Sequence, residues 1–194
     1  MKGIAAVILA AGQSRRMGQP KLLLPWGNTT VLGQALAVFA EAGIEEIVVV
    51  TGGTREQVEA LVGASARTVF NPEYAEGEML SSIQVGLGAL GPSTRAALIS
   101  LGDQPQVQKE TVRAVCEAYA RSQSPLVVPS HHLRRGHPWL ADRSVWPELL
   151  SLPAGQTPRE FLNAHAGLIH YVNIDTPTIL EDLDTPEDYL KSRP

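Results

Sequence analysis

The chain has 194 residues, of which 44% are apolar and 19% charged, with a formal net charge of −4. That is the composition of a soluble globular protein, long enough to bury roughly 70% of its unfolded surface. The acidic balance gives no ground for a nucleic-acid partner, and no apolar stretch approaches the roughly eighteen residues of a membrane span. Cys116, the only cysteine, excludes an intrachain disulfide, reads as core filler within a helical run and fits a cytoplasmic chain.

In chain order, Ile4 to Ala10 is short, apolar and partly β-branched, which predicts a buried parallel strand rather than a signal-peptide core. The run L-A-A-G-Q-S-R-R-M-G-Q-P-K, Leu9 to Lys21, follows directly. Gly12 and Gly18 free the backbone to turn and to present N–H groups to an anion, while Arg15, Arg16 and Lys21 add three cations. Together they suit a triphosphate. The plainer alternative is a Gly-rich β-to-α turn with solvated arginines. Five residues separate Gly12 from Gly18 and no hydroxyl follows Lys21, so the loop is not a Walker loop; it also lacks the G-x-G-x-x-G of a dinucleotide site.

Leu32, Leu36 and Phe39 recur at helical spacing up to Gly43, a helix terminator. A strand at Glu46 to Thr51 follows, then a helix to about Leu61 with Thr54 as its cap and Gln57 three residues on. A short strand, Arg67 to Phe70, leads through Asn71-Pro72 to a helix from Met79 to Leu90. Gly86, Gly88 and Gly91 match G-x-G-x-x-G there, but with no strand before them the match carries no dinucleotide reading. The strand Ala96 to Leu101 ends at Gly102-Asp103-Gln104-Pro105, and a helix from Lys109 to Arg121 and a strand at Leu126 to Val128 continue the alternation. Beyond Pro129 the pattern loosens: a turn or hairpin over Ser130 to Leu140, short helices at Val145 to Leu150 and Thr157 to Ala164, a strand at Leu168 to Ile174, and a last helix opened by an Asp184/Glu187 capping box. This alternation predicts a single α/β domain, a Rossmann-like three-layer sandwich with a mainly parallel sheet and sites at the carboxyl ends of its strands.

Asp103 stands at such a strand end. Its carboxylate can hold Mg²⁺ against nucleotide phosphates, or it can close an Asx-turn on its own backbone; the cationic loop nearby favours the metal. No convincing nucleophile and base pair is present, and the histidines show no grouping with cysteine that would bind zinc.

The first loop resembles the L-A-A-G-x-S-x-R-M-G-x-x-K signature of nucleotidyltransferases, and most closely that of the molybdenum cofactor cytidylyltransferase family. L-G-D-Q-P around Asp103 resembles that family's metal-binding strand end. The resemblance implies a Mg²⁺-dependent enzyme that transfers CMP from CTP to molybdopterin-bound molybdenum and releases pyrophosphate, with a molybdoenzyme or its accessory protein as a further partner. It implies nucleotide contacts from Leu9, Ala10, Ala11, Gly12, Arg16 and Lys21, with Arg16, Lys21 and Asp103 in catalysis. Asp184, with Asp182 as second choice, would complete the metal site, although the capping box explains Asp184 equally well. N-P-E-Y-A-E-G-E-M-L-S-S resembles a base- and ribose-binding stretch and implicates Ser81 and Ser82, which could equally be helix caps. R-G-H-P resembles a segment on the pterin side, so Arg135 and His137 would meet the acceptor. G-Q-T-P-R, Gly155 to Arg159, stands where the family has G-D-x-G-A-R and departs at Gln156 and Pro158. The nucleotide half would cover about residues 1–105 and the acceptor half 106–194. L-A-A-G and Pro20-Lys21 favour cytidine, since guanylyl-transferring relatives favour L-A-G-G; the Ala11 methyl is worth about 1–3 kcal/mol of discrimination. The alternatives are transfer to another phosphorylated small molecule, such as a sugar phosphate or isoprenoid precursor, and a non-catalytic carrier of the molybdenum cofactor.

Overall fold

The computed structural model describes residues 1–76 and 78–194, with only the backbone at Glu78. Its elements are β1 (Ile4–Ala10), β2 (Pro25–Trp26), β3 (Thr29–Thr30), α1 (Val31–Ala42), β4 (Glu46–Thr51), α2 (Arg55–Val62), β5 (Arg67–Phe70), α3 (Glu78–Gly88) and β6 (Ala96–Leu101). There follow α4 (Lys109–Ser122), β7 (Leu126–His131), β8 (Arg134–Arg135), β9 (Trp139–Asp142), α5 (Trp146–Ser151), α6 (Pro158–Ala164), β10 (Ile169–Asn173) and α7 (Pro186–Ser192).

One sheet in the order β10-β7-β9-β6-β1-β4-β5 runs through the molecule, with β8 paired to β7. Successive residues of a strand face opposite sides, so a central strand between two helical layers must be apolar throughout. β1 meets that demand: Ile8 faces the layer of α1, α2 and α4, with Leu32, Phe39, Val58 and Val115, while Val7 faces α3, α5 and α6, with Ile83, Leu149 and Phe161. Each such fully buried side chain contributes about 1.5–3 kcal/mol. Gly86 lies in α3 where a Cβ would run into Val7. The first glycine of the Gly86, Gly88, Gly91 pattern therefore marks a point of close helix–sheet approach.

The mainly parallel three-layer sandwich is as expected, with local corrections. β8 folds back antiparallel on β7, which is the hairpin expected after Pro129, and β9 then lies antiparallel between β6 and β7, so this segment also completes the sheet. Thr54 precedes α2, yet its side chain makes no capping bond. The last capping box is Thr185 with Asp188, whose side chains satisfy each other's backbone N–H groups, and not Asp184 with Glu187. Pro186 at the first helical position makes Thr185 the cap, which leaves the Asp184 carboxylate for other partners. A 3₁₀ turn at Lys21–Leu23 and the β2–β3 ribbon were not evident in the sequence. Among the described residues no helix is long and apolar enough to cross a membrane.

Candidate active site

From β1 the chain moves outward through β4 to β5, then returns to place β6 on β1's other side. Ligands of open α/β sheets gather at the carboxyl ends of strands flanking such a switch. Here a cavity of about 390 Å³ opens, lined by Leu9 to Gly12, Arg16, Lys21, Ser82, Asp103, Asp182 and Asp184 among others. The loop after β1 turns at Ser14 and Gly18, both at positive φ. Ser14 also accepts a bond from the Lys21 backbone N–H at 3.2 Å. Met17, 5% exposed, anchors the loop in the protein. Gly12 has no positive φ, and nothing lies within 4 Å of where its Cβ would be. Its contribution is open space beside the cavity, not a turn.

The Lys21 ammonium is the centre of the site. It donates to Asp184 Oδ1 at 3.2 Å and makes a closer ion pair with Asp103, while Arg16 Nη2 donates to Asp184 Oδ2 at 2.9 Å. Burial works against the charge on Lys21, but Asp103 and Asp184 outweigh it and hold the pKa above its ordinary value. Lys21 and Asp103 are largely covered, with side chains 14% and 15% exposed, whereas Arg16 is 71% exposed.

Asp184 comes from 163 positions beyond Lys21 along the chain. A strap after β10 delivers it, pinned by the fully buried Ile179 and Leu183. Leu183 N–H donates to the Asp103 carbonyl at 3.2 Å and His137 N–H to the Ile179 carbonyl at 3.0 Å. On the same strap Asp182 accepts from Gln104 Nε2 at 2.6 Å. Burial raises the Asp182 pKa, reinforced by the charges of Asp103 and Asp184 against the Gln104 bond. Among the described residues no three His, Cys, Asp or Glu side chains gather as a metal cage. Two carboxylates around one cation do suit Mg²⁺, which usually takes one or two carboxylates and completes its shell with waters and substrate phosphates.

Ser81 and Ser82 sit near the start of α3, and both hydroxyls accept from Asn71 Nδ2, at 2.9 and 3.0 Å. Ser82 lines the cavity, while Ser81 is not among its described lining residues. Gly77 of the same stretch lies outside the described residues.

A second cavity, about 1100 Å³, adjoins the first and shares Met79 with it. Arg135 is held flat: Nη1 donates to Asn163 Oδ1 at 2.7 Å, and Nε and Nη2 both donate to the Tyr171 hydroxyl. His137, Trp139, Thr157 and Arg159 line the same space. Of the residues that depart from the family's G-D-x-G-A-R, Pro158 lines this cavity at the first turn of α6, where Thr157 and Glu160 form a capping box. Trp139, Asn163 and Tyr171 were not singled out in the sequence, as none carries a local pattern.

Burial lowers the His137 pKa to about 4, so its imidazole is neutral at physiological pH. A pKa depressed by folding gives full stability above the ordinary value of about 6.5, lost as pH falls toward 4. Urea unfolding at pH 7.5 and 4.5 is therefore expected to show wild type losing ~2 kcal/mol more than His137→Gln. Equal losses would remove His137 as a cause.

The model of the MobA-like NTP transferase domain matches residues 6–168. The chain belongs to this family. The family chemistry makes it a nucleotidyltransferase, and its relatives include cytidylyltransferases. It is 28% identical to the molybdenum cofactor cytidylyltransferase of Escherichia coli, over 100% of this chain and 97% of that one. It is 32% identical to the nicotine blue oxidoreductase of Paenarthrobacter nicotinovorans, over 95% and 93%. Among solved structures, Rv0371c of Mycobacterium tuberculosis superposes with a TM-score of 0.84 at 30% identity, covering 98% of this chain and 97% of that one. A second structure of that protein is a complex with manganese. For this MobA-like transferase the match spans both cavities' walls up to Leu168, and the strap with Asp184 lies beyond it.

Proposed function

We propose that the chain transfers CMP from CTP to the phosphate of the molybdenum–molybdopterin cofactor, with Mg²⁺, and releases pyrophosphate. The observation that carries this is the Lys21 ammonium shared between Asp103 and Asp184 at the end of β6, next to a larger cavity fit for an acceptor. A phosphate monoester has a second pKa of about 6 and is an anionic nucleophile at neutral pH, so no serine, cysteine or general base is required. An acceptor oxygen forms a bond to the α-phosphorus as the bridge to the β-phosphate breaks and its electron pair leaves with pyrophosphate. The protein's work is alignment and charge neutralisation.

In this reading Leu9, Ala10, Ala11, Gly12 and Ser82 hold the nucleoside, with Ser81 supporting Asn71 behind them. Lys21 and Arg16 transfer from the carboxylates to the phosphates, Arg16 following the leaving pyrophosphate. Asp103 and Asp184 would hold Mg²⁺, which when bound neutralises phosphate charge and orients the triphosphate. Arg135 takes the acceptor's phosphate, and neutral His137 offers it a hydrogen bond. The nucleotide half ends near residue 105, and Asp184 joins it from the acceptor half. The E. coli relative's name supports this acceptor. Delivery to a molybdoenzyme or its accessory protein would follow.

Purified protein with Mg²⁺ and molybdenum-bound molybdopterin is expected to release pyrophosphate with CTP at a kcat/KM at least about tenfold above GTP or ATP, the size of a small pocket difference. No release with any nucleotide would overturn the reaction, and preference for GTP would overturn the base assignment. Release only with a sugar phosphate or isoprenoid phosphate would move the acceptor to those classes, and tight cofactor binding without turnover would make the chain a carrier.

A further inference from the structure

His131 of β7 pairs with Arg134 of β8, so His132 and Leu133 alone make the turn between them. Both lie in the left-handed region, at φ 47 and 64. Two-residue turns of this form favour Asn-Gly or Gly-Gly, because a Cβ crowds the backbone there. Histidine tolerates such a φ better than most residues; leucine does not. Leu133 gains nothing from the rest of the chain in return, since it is 98% exposed. It nevertheless lines the larger cavity, beside Arg134 and Arg135 and together with Met79, Trp139, Leu162 and Tyr171. A strained backbone that persists in presenting an unpartnered apolar group is a reason to look for its function.

We propose that Leu133 is a specificity-determining residue, held by the strained turn on the rim so that it packs on the ring system of the phosphorylated acceptor while Arg135 takes the anionic end. This rests on the larger cavity being the acceptor site. The strain is the cost of an apolar rim that only a bound ring covers. A flat ring then gains contact from Leu133 that an open-chain sugar phosphate cannot match.

Binding of molybdenum-bound molybdopterin, followed by quenching of tryptophan fluorescence since Trp139 lines the cavity, tests this in wild type, Leu133→Ala and the paired variant His132→Asn with Leu133→Gly. Burying a leucine side chain is worth about a tenfold change in Kd. Leu133→Ala is expected to bind the acceptor about tenfold more weakly with the Kd for CTP and Mg²⁺ unchanged. The paired variant is expected to lose the same affinity and to melt at a higher temperature. Equal acceptor Kd in wild type and Leu133→Ala, or binding by neither, would overturn the proposal. A paired variant that melts no higher would overturn the strain. If Leu133→Ala weakens binding but wild type releases no pyrophosphate, the proposed reaction fails and the rim stands.

Discussion

Asp103→Ala is expected to lower metal-dependent pyrophosphate release by at least about a thousandfold while the protein still folds. Two effects combine. Among the described residues the carboxylate is one of two that pair with the cation at the site's centre, and removing one preorganised charge from such a site commonly costs 10²- to 10³-fold. Losing half of a two-carboxylate site also weakens Mg²⁺ itself, because the ion then relies on Asp184 and phosphate alone. The fold survives because Lys21 keeps Asp184, and the backbone bond from Leu183 N–H to the Asp103 carbonyl involves no side chain. Asp182→Asn is the control. Asp182 lines the same cavity but spends its carboxylate on Gln104, so its loss is expected to stay under about tenfold. Initial-rate measurements across a Mg²⁺ titration separate the two variants. Asp103→Ala turnover at the wild-type level would remove Asp103 from the mechanism.

What the sequence revealed follows how local each cause is. The loop after β1 and Asp103 were legible because a strand, its terminal turn and the residue just beyond it are set by contiguous residues. Asp184 was ambiguous. Read locally, its carboxylate belonged to a cap, and only the strap pinned by Ile179 and Leu183 carries it across to Lys21. One local signal did point the right way: Pro186 favours the first helical position, which makes Thr185 the cap. β9 shows the opposite limit. Trp139 to Asp142 is too short to declare a partner, and its antiparallel place between β6 and β7 is a choice made by non-local packing. The larger cavity inherits that difficulty, since Arg135, Asn163 and Tyr171 converge from β8, α6 and β10. The family resemblance placed Arg135 there, but the residues that hold its guanidinium flat had no signature.

Lys21→Met should pull turnover and metal affinity in opposite directions. Without nucleotide, the ammonium occupies the space between Asp103 and Asp184 and serves as their counter-ion. A divalent ion entering alone must displace a cation that burial and two carboxylates hold in place, whereas nucleotide and metal together offer Lys21 a phosphate to move to. The methionine variant removes that competitor and leaves two carboxylates facing each other, which destabilises the folded protein by about 1–3 kcal/mol. A divalent ion relieves that repulsion, so Mn²⁺ alone is expected to bind about tenfold to a hundredfold more tightly than to wild type and to restore the lost stability in proportion to its occupancy. Pyrophosphate release should meanwhile fall at least about a hundredfold, because the triphosphate loses its most buried cation. Mn²⁺ titration by electron paramagnetic resonance, with melting curves at matched Mn²⁺ concentrations, reads the first effect without any turnover. Weaker Mn²⁺ binding in Lys21→Met than in wild type would show that the ammonium does not stand in for the metal, and the coupling between nucleotide and metal would have to arise elsewhere in the site.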